Sequence, residues 1–367
     1  MKDFHSLIEY KPDLRDLATF TPNKQSPIFN WFYYKEGYSK QLVEMILKDF
    51  NVQSKQIVLD PFCGSGTTLL ACKQLGIKTI GFDVLPISVF ASKVKTQDYD
   101  LEELRKEKER ISKIRFEMPG PEKIDDFQVF MKRYFSKYAV EDIIFLIRAV
   151  NGAREENVKD FFKLALVNTA MKISYAWKDG AVLKVKRHPT PPMRKMFKRV
   201  CENMIKDVKN HQTGTGSVEV KQCDARTLDL DDETVEFIIT SPPYYNNIDY
   251  TKIYEIENWF VRNIIEKKPL VRSFVDGTES YFEDMKQVIS EMYRVLRKNG
   301  KVALVVGNGY DKINNKVIES DIILSQISED IGFIVEKITA VTERAALVDR
   351  TKKVGSLRES IIIMEKN

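Results

Sequence analysis

Histidine and cysteine are scarce in this chain, with three and four among 367 residues. The four cysteines, Cys63, Cys72, Cys201 and Cys223, form no CxxC pair. That spacing argues against a structural zinc site or a disulfide framework, and no metal is expected. Long apolar runs are missing too. The best, Val302 to Val306, is far below the roughly 18 residues a membrane helix needs and reads as a buried strand, so no membrane partner is expected. The opening residues Met1 to His5 carry no signal-peptide core, which makes a cytoplasmic location the expectation. Neither internal repeats nor low-complexity tracts occur. What remains is ordinary for a globular protein: 43% hydrophobic and 30% charged residues, a balance that excludes wholesale disorder.

The net charge of +5 is unevenly spread. Residues 101–210 hold 25 Lys and Arg against 16 Asp and Glu, an excess of nine, so the rest carries −4. A basic middle in a slightly acidic frame suits contact with a polyanion. A solvated charged surface is the alternative that composition leaves open.

The first forty residues read as loop with scattered aromatics. Ser39 is an N-cap candidate, and Leu42, Val43, Ile46, Leu47 and Phe50 follow with helical period. A β-branched strand, Gln56 to Asp60, runs into Pro61-Phe62-Cys63-Gly64-Ser65-Gly66-Thr67-Thr68. A helix to Leu75 and a second strand ending at Asp83 complete a strand, Gly loop, helix, strand, acid unit of Rossmann type. From about Thr96 to Gly216 the pattern is mainly helical, over Leu101–Arg115, Phe127–Val150, Val158–Tyr175 and Met193–Val208. Alternating α/β then resumes, with strands at 218–220, 235–240 and 301–306, helices at 281–296 and 317–331, and late strands at 333–339 and 360–364. The expected fold is α/β, a doubly wound sheet with a largely helical insertion after its second strand. Residues 1–95 and 216–367 form its two halves, and 96–215 the insertion.

Two loops carry the chemistry. In the first, Gly64 and Gly66 allow positive φ and close backbone approach, and the helix start at Thr67 presents free N–H groups. GxGxxG spacing fails, since position 69 is Leu, and no GK[ST] follows. Asp83 is the acid placed to hold a ribose diol. In the second, the strand Val235–Ile239 ends in Thr240-Ser241-Pro242-Pro243-Tyr244. Two prolines cannot continue a ladder, so the turn's carbonyls stay unpaired at the edge where open α/β sheets place ligands. Acceptors beside a tyrosine plate suit a planar base with an exocyclic amine.

Together these segments resemble the S-adenosylmethionine-dependent amino-methyltransferases of DNA, which modify cytosine N4 or adenine N6. Pro27 to Ser39 is similar to the family's extra cofactor motif, Cys223-Asp224-Ala225-Arg226 to its acidic motif, Tyr281 to Asn308 to its helix and strand after the catalytic loop, and Arg358 to Ile361 to its terminal strand. About two-thirds of the chain is covered, and the insertion is not. The resemblance implies a Rossmann-like methyltransferase sheet and S-adenosylmethionine as cofactor. It places Phe62, Gly64 and Gly66 at the methionine and ribose end, and Asp83 on the ribose hydroxyls. It puts Asp224 on the adenine amine, Asp60 facing the methionine amine, and Tyr38 and Ser39 near the carboxylate. Ser241, Pro242, Pro243 and Tyr244 would hold a base flipped from double-stranded DNA. Asp249, in the run after Tyr244, is a further candidate. No Pro-Cys nucleophile for carbon-5 methylation occurs, and Cys63 reads as packing.

In this family Ser-Pro-Pro-Tyr tends to accompany cytosine N4, so cytosine is expected ahead of adenine. The implied setting is a methylase paired with a restriction endonuclease, or a solitary methylase. The insertion would read the target, and its sharpest feature is seven basic residues without an acid from 184 to 199: Lys184, Lys186, Arg187, Arg194, Lys195, Lys198 and Arg199. Arg344 and Arg350 to Lys353, expected in a late loop, form a second candidate DNA contact. Two alternatives stay open: methylation of an RNA amine, and a non-catalytic nucleic-acid-binding module.

Overall fold

The computed structural model describes residues 2–118, 130–179, 182–211, 214–245, 249–265, 278–311, 314–348 and 352–367. The strands in chain order are β1 (Ile8–Tyr10), β2 (Ile57–Asp60), β3 (Lys78–Asp83), β4 (Ala176–Asp179), β5 (Val182–Val185), β6 (Val218–Gln222), β7 (Val235–Thr240), β8 (Leu296–Gly307), β9 (Gly309–Asp311), β10 (Lys316–Ile318), β11 (Phe333–Val348) and β12 (Lys352–Lys366). The helices are α1 (Lys40–Asp49), α2 (Thr67–Gln74), α3 (Pro86–Thr96), α4 (Leu101–Lys113), α5 (Lys137–Asn151), α6 (Glu156–Ile173), α7 (Met193–Asn210), α8 (Tyr250–Ile253), α9 (Glu255–Phe260), α10 (Thr278–Val295) and α11 (Ser320–Ile331).

Among the described residues the main sheet runs β1-β11-β12-β8-β7-β2-β3-β6. β6, β3, β2, β7 and β8 are mutually parallel. β12 enters antiparallel between β8 and β11. This is the expected doubly wound α/β sheet, with its order reversing between β2 and β7, where such folds bind ligands. Successive residues of a strand face opposite sides, and the apolar core divides accordingly. Val58, Ile239, Ala303, Val305 and Ile361 face the layer that holds α1, α3 and α4 to α7. Leu59, Ile238, Val302, Leu304 and Ile362 face the layer of α10 and α11. The helices between β3 and β6 thus share one continuous core with the sheet.

Local chemistry sets the helix starts. Ser39 caps α1 by accepting from Leu42 N at 3.2 Å, and Asp100 caps α4 through the amides of Glu102 and Glu103. α7 buries Met193, Phe197, Val200, Cys201 and Met204 on one stripe and leaves its basic residues outside.

Several expectations need correcting. α3, opened by Pro86, occupies residues to which no element was assigned between Asp83 and Thr96. The insertion is largely helical, as expected, and adds one antiparallel hairpin, β4 and β5, between α6 and α7. Residues 316–318, expected as helix from 317, pair as strand with β9. The late strands are far longer than their apolar cores, so Arg344 lies within β11 and not in a loop. Arg350 and Thr351 lie outside the described residues, as do Phe127 to Val129 and Asn246 to Ile248.

Candidate active site

The turn after β2 is built by two left-handed glycines. Gly64 has φ +50°, and a Cβ there would lie 2.9 Å from Tyr34 Cε1. Gly66, at φ +76°, opens α2, and a Cβ there would lie 2.7 Å from Ser92 Oγ. Three side chains hold the turn from behind. Gly64 N donates to Asp83 Oδ2 at 2.9 Å, Ser92 Oγ donates to the Gly64 carbonyl at 2.9 Å, and the buried Lys95 ammonium donates to the Ser65 carbonyl at 2.6 Å. Asp83 also accepts from Leu85 N at 2.8 Å. Burial outweighs these donors and pushes the Asp83 carboxyl up to about 7.

Asp60, at the end of β2, ties the two loops together. It accepts from Thr240 Oγ1 at 2.6 Å, from the Tyr38 hydroxyl at 3.1 Å and from Phe62 N at 3.2 Å. Burial nevertheless raises it to about 6. Thr240 closes β7, and the next four residues form the turn the prolines demand. Tyr281 donates its hydroxyl to the Pro243 carbonyl at 2.8 Å, and Tyr244 donates to Glu359 Oε1 at 2.7 Å. The Tyr244 ring lies against Gly307, where a Cβ would come within 2.5 Å of Cδ2.

Both loops open into one cavity of about 420 Å³. Of the residues named from sequence, it is lined by Tyr38, Asp60, Phe62, Gly64, Asp83, Ser241, Pro242, Pro243 and Tyr244. Gly66, Ser39 and Asp224 do not line it. Gly66 shapes the turn, and fully buried Ser39 caps α1. Asp224 sits beside β3, since Cys223 N donates to the Asp83 carbonyl at 3.2 Å. Its carboxylate is engaged by Arg226, whose Nη2 lies 2.7 Å from Oδ2 and whose Nη1 reaches Asp284 at 2.9 Å. Burial raises the Asp224 carboxyl, and the Arg226 bonds more than offset that and hold it below the ordinary range. Asp249 caps α8 through the amides of Thr251 and Lys252. Cys63 is buried, which keeps its thiol protonated.

The structure adds a wall that motif reading did not assign. Tyr34, Glu36, Tyr250 and Glu359 all line the cavity. Tyr34 stacks on Tyr254 with centroids 5.0 Å apart, and Tyr254 donates to Glu36 Oε2 at 2.6 Å. These residues come from the N-terminal segment, the start of α8 and the last strand. Tyr34, Glu36 and Glu359 fell inside motif-like stretches, but nothing in those stretches gave them a place in the site.

All seven basic residues of the 184–199 segment are exposed or half-exposed. Lys184 pairs with Asp179 at 2.5 Å and Arg194 with Asp142 at 2.8 Å. The β4–β5 hairpin reaches the cavity wall. Lys178 from β4 forms a buried pair with Glu257 at 2.8 Å, and its Nζ lies 3.2 Å from the Tyr254 ring centroid. No group of metal-ligating residues and no helix long and apolar enough to cross a membrane occurs among the described residues.

Comparison with known proteins matches residues 15–89 and 235–367, more than half of the chain, to the family described as DNA methylase. The Type II methyltransferase M.BsoBI of Geobacillus stearothermophilus is 26% identical, over 100% of this chain and 91% of its own. The Type II methyltransferase M.AvaI of Anabaena variabilis is 27% identical, over 88% and 83%. A solved SAM-dependent methyltransferase from Methanosarcina mazei overlaps 88% of this chain and 96% of its own at 11% identity and a TM-score of 0.36.

Proposed function

The chain belongs to the N6/N4 DNA methylase family, and on that premise we propose that it methylates the exocyclic N4 of cytosine flipped out of duplex DNA. The observation that carries this reading is that the Ser241–Tyr244 turn and Asp83 open into the same cavity. S-adenosylmethionine is the cofactor, and when bound it supplies a methyl group made electrophilic by a sulfonium. The residues present fit it. Gly64 leaves backbone where a side chain would strike Tyr34, and Asp83 offers carboxylate oxygens at the cavity wall.

The chain's own task is to make a poor nucleophile attack. An aryl amine has its lone pair delocalised into the ring. The Ser241 hydroxyl and the Pro242 carbonyl accept from the amine hydrogens, drawing nitrogen toward tetrahedral geometry and stabilising the positive charge that develops there. Tyr244 stacks on the base and returns roughly 1–3 kcal/mol of the cost of extrusion. Its ring is held for this by Gly307 and Glu359. Fixing amine and methyl in line supplies much of the remaining acceleration.

Residues 96–215 act as the target-recognition region between the halves 1–95 and 216–367. Lys184, Lys186, Arg187, Arg194, Lys195, Lys198 and Arg199 neutralise DNA phosphates. Since the similar proteins M.BsoBI and M.AvaI are Type II methyltransferases, the setting proposed is a restriction-modification system with a cognate endonuclease.

Nucleoside mass spectrometry tests the reading. Unmethylated genomic DNA and, separately, total RNA are incubated with the protein and labelled S-adenosylmethionine. Label in N4-methylcytosine is the expected result. Label in N6-methyladenine would overturn the choice of base, and label in RNA alone would overturn the choice of substrate.

A further inference from the structure

The carboxylates around the cavity differ in what already engages them. Asp83 holds two backbone amides, and Asp60 holds two hydroxyls and an amide. Glu36 is taken by the Tyr254 hydroxyl. Glu359 lines the cavity, and among the described residues its one side-chain hydrogen bond comes from Tyr244. The Ser241 side chain borders that same tyrosine hydroxyl. Ser241, Tyr244 and Glu359 therefore form a contiguous path from the base-holding turn to β12. The sheet fixes its far end, because Glu359 pairs with Gly307 in the β12–β8 ladder and Gly307 carries the Tyr244 ring. Burial, only partly offset by the Tyr244 bond and the Arg344 charge, raises Glu359 above the ordinary carboxylate range and makes it a better base than an exposed glutamate.

Resting on the methyltransferase reading, we propose that Glu359 is the acceptor, through the Tyr244 hydroxyl, of the proton that the target amine sheds on methylation. The Thr240–Tyr244 turn contains a serine and no carboxylate, so it has hydrogen-bond acceptors but no base of its own to keep the proton. The amine lone pair forms the nitrogen–carbon bond while the carbon–sulfur bond breaks and leaves its electron pair on sulfur. Nitrogen then carries the positive charge and one hydrogen too many. That proton passes to Ser241 Oγ, the serine proton to the Tyr244 oxygen, and the tyrosine proton to Glu359 Oε1. The products are a neutral methylamine and a neutral carboxylic acid, which releases its proton to water.

Glu359→Gln tests this in the full chain, because the amide keeps an acceptor oxygen for Tyr244 but cannot take the proton. Single-turnover transfer to DNA at saturating S-adenosylmethionine should slow at least about tenfold, with cofactor affinity within about twofold of wild type. The wild-type rate should fall on the acid side as Glu359 is protonated, and the variant should lack that limb. Tyr244 and Arg344 face Glu359, and Asp60, Asp83 and Glu36 share the cavity. Their titration is common to both proteins, so the difference between the two profiles reports Glu359. Tyr244→Phe keeps the ring and breaks the path, and the double variant should be no slower than the slower single one. An active wild type with an unaffected Glu359→Gln, limb intact, overturns the inference alone. A wild type that methylates no DNA overturns the reading on which it rests, and the inference with it.

Discussion

Along the C-terminal edge of the sheet, Asp60, Asp83 and Glu359 are wholly or largely withdrawn from water and engaged by named hydroxyls or amides. Along α7 and the β4–β5 hairpin, by contrast, the basic side chains of the 184–199 segment stand in solvent. A buried charge needs specific donors at fixed distances, so each residue of the edge is constrained by its neighbours. An exposed cation acts through number and rough placement, and many arrangements serve equally well. Chemistry is therefore expected to be brittle at the edge, and DNA affinity to be graded across the insertion.

The strongest way to break this contrast is at the turn itself. Ser241→Ala and Tyr244→Ala should each lower turnover more than about 100-fold, with cofactor affinity near wild type by calorimetry. Normal turnover by Tyr244→Ala would remove the base-stacking role. Asp83→Ala comes next. It leaves Gly64 N and Leu85 N without their acceptor and should weaken S-adenosylmethionine binding at least about tenfold while lowering thermal stability. Titration gives a comparable effect without mutation. With Asp83 raised to about 7, the proposed role in which its ionised form accepts ribose hydroxyls predicts that cofactor affinity falls about tenfold between pH 8 and pH 6. The free protein should respond in the opposite sense. The folded-state values of Asp60 and Asp83 lie above their unfolded ones. Their contribution to stability is thus full in acid and lost as pH rises through about 6 and about 7. The urea midpoint of Asp83→Asn should show less of that decline than wild type. Smallest of these is Gly307→Ala. Its new methyl would press on the Tyr244 ring and should cut the turnover rate severalfold while leaving cofactor binding alone.

The same contrast separates what could be read in the sequence from what could not. The Gly64 turn, Asp83 and the Ser241–Tyr244 turn were legible because left-handed backbone, buried acids and a double proline admit few residue types. α3 was missed because nearly all its residues are buried, which erases the amphipathic period. The β4–β5 hairpin was missed although Val182 and Lys184 alternate with Leu183 and Val185, since four residues are too few to outweigh the helical pattern around them. Glu359 was placed in a terminal strand and no further. It becomes a site residue only because β12 inserts between β8 and β11 and brings position 359 opposite Gly307. Asp224 shows the converse limit, since no spacing rule announces that Arg226, two residues on, will occupy its carboxylate.

The most direct test of the division between edge and insertion is a DNA titration of the single-turnover methyl-transfer rate, with binding followed in parallel. It would be run on Ser241→Ala and on a variant combining Lys195→Glu, Lys198→Glu and Arg199→Glu. Ser241→Ala should bind DNA within about twofold of wild type and transfer almost nothing. The charge-reversed protein should bind more than about tenfold more weakly, with a log-affinity against log-salt slope flatter by about 0.9 for each phosphate it no longer neutralises. At saturating DNA it should transfer at close to the wild-type rate. If it bound DNA normally, or if its saturating rate fell as far as that of Ser241→Ala, the division would be wrong.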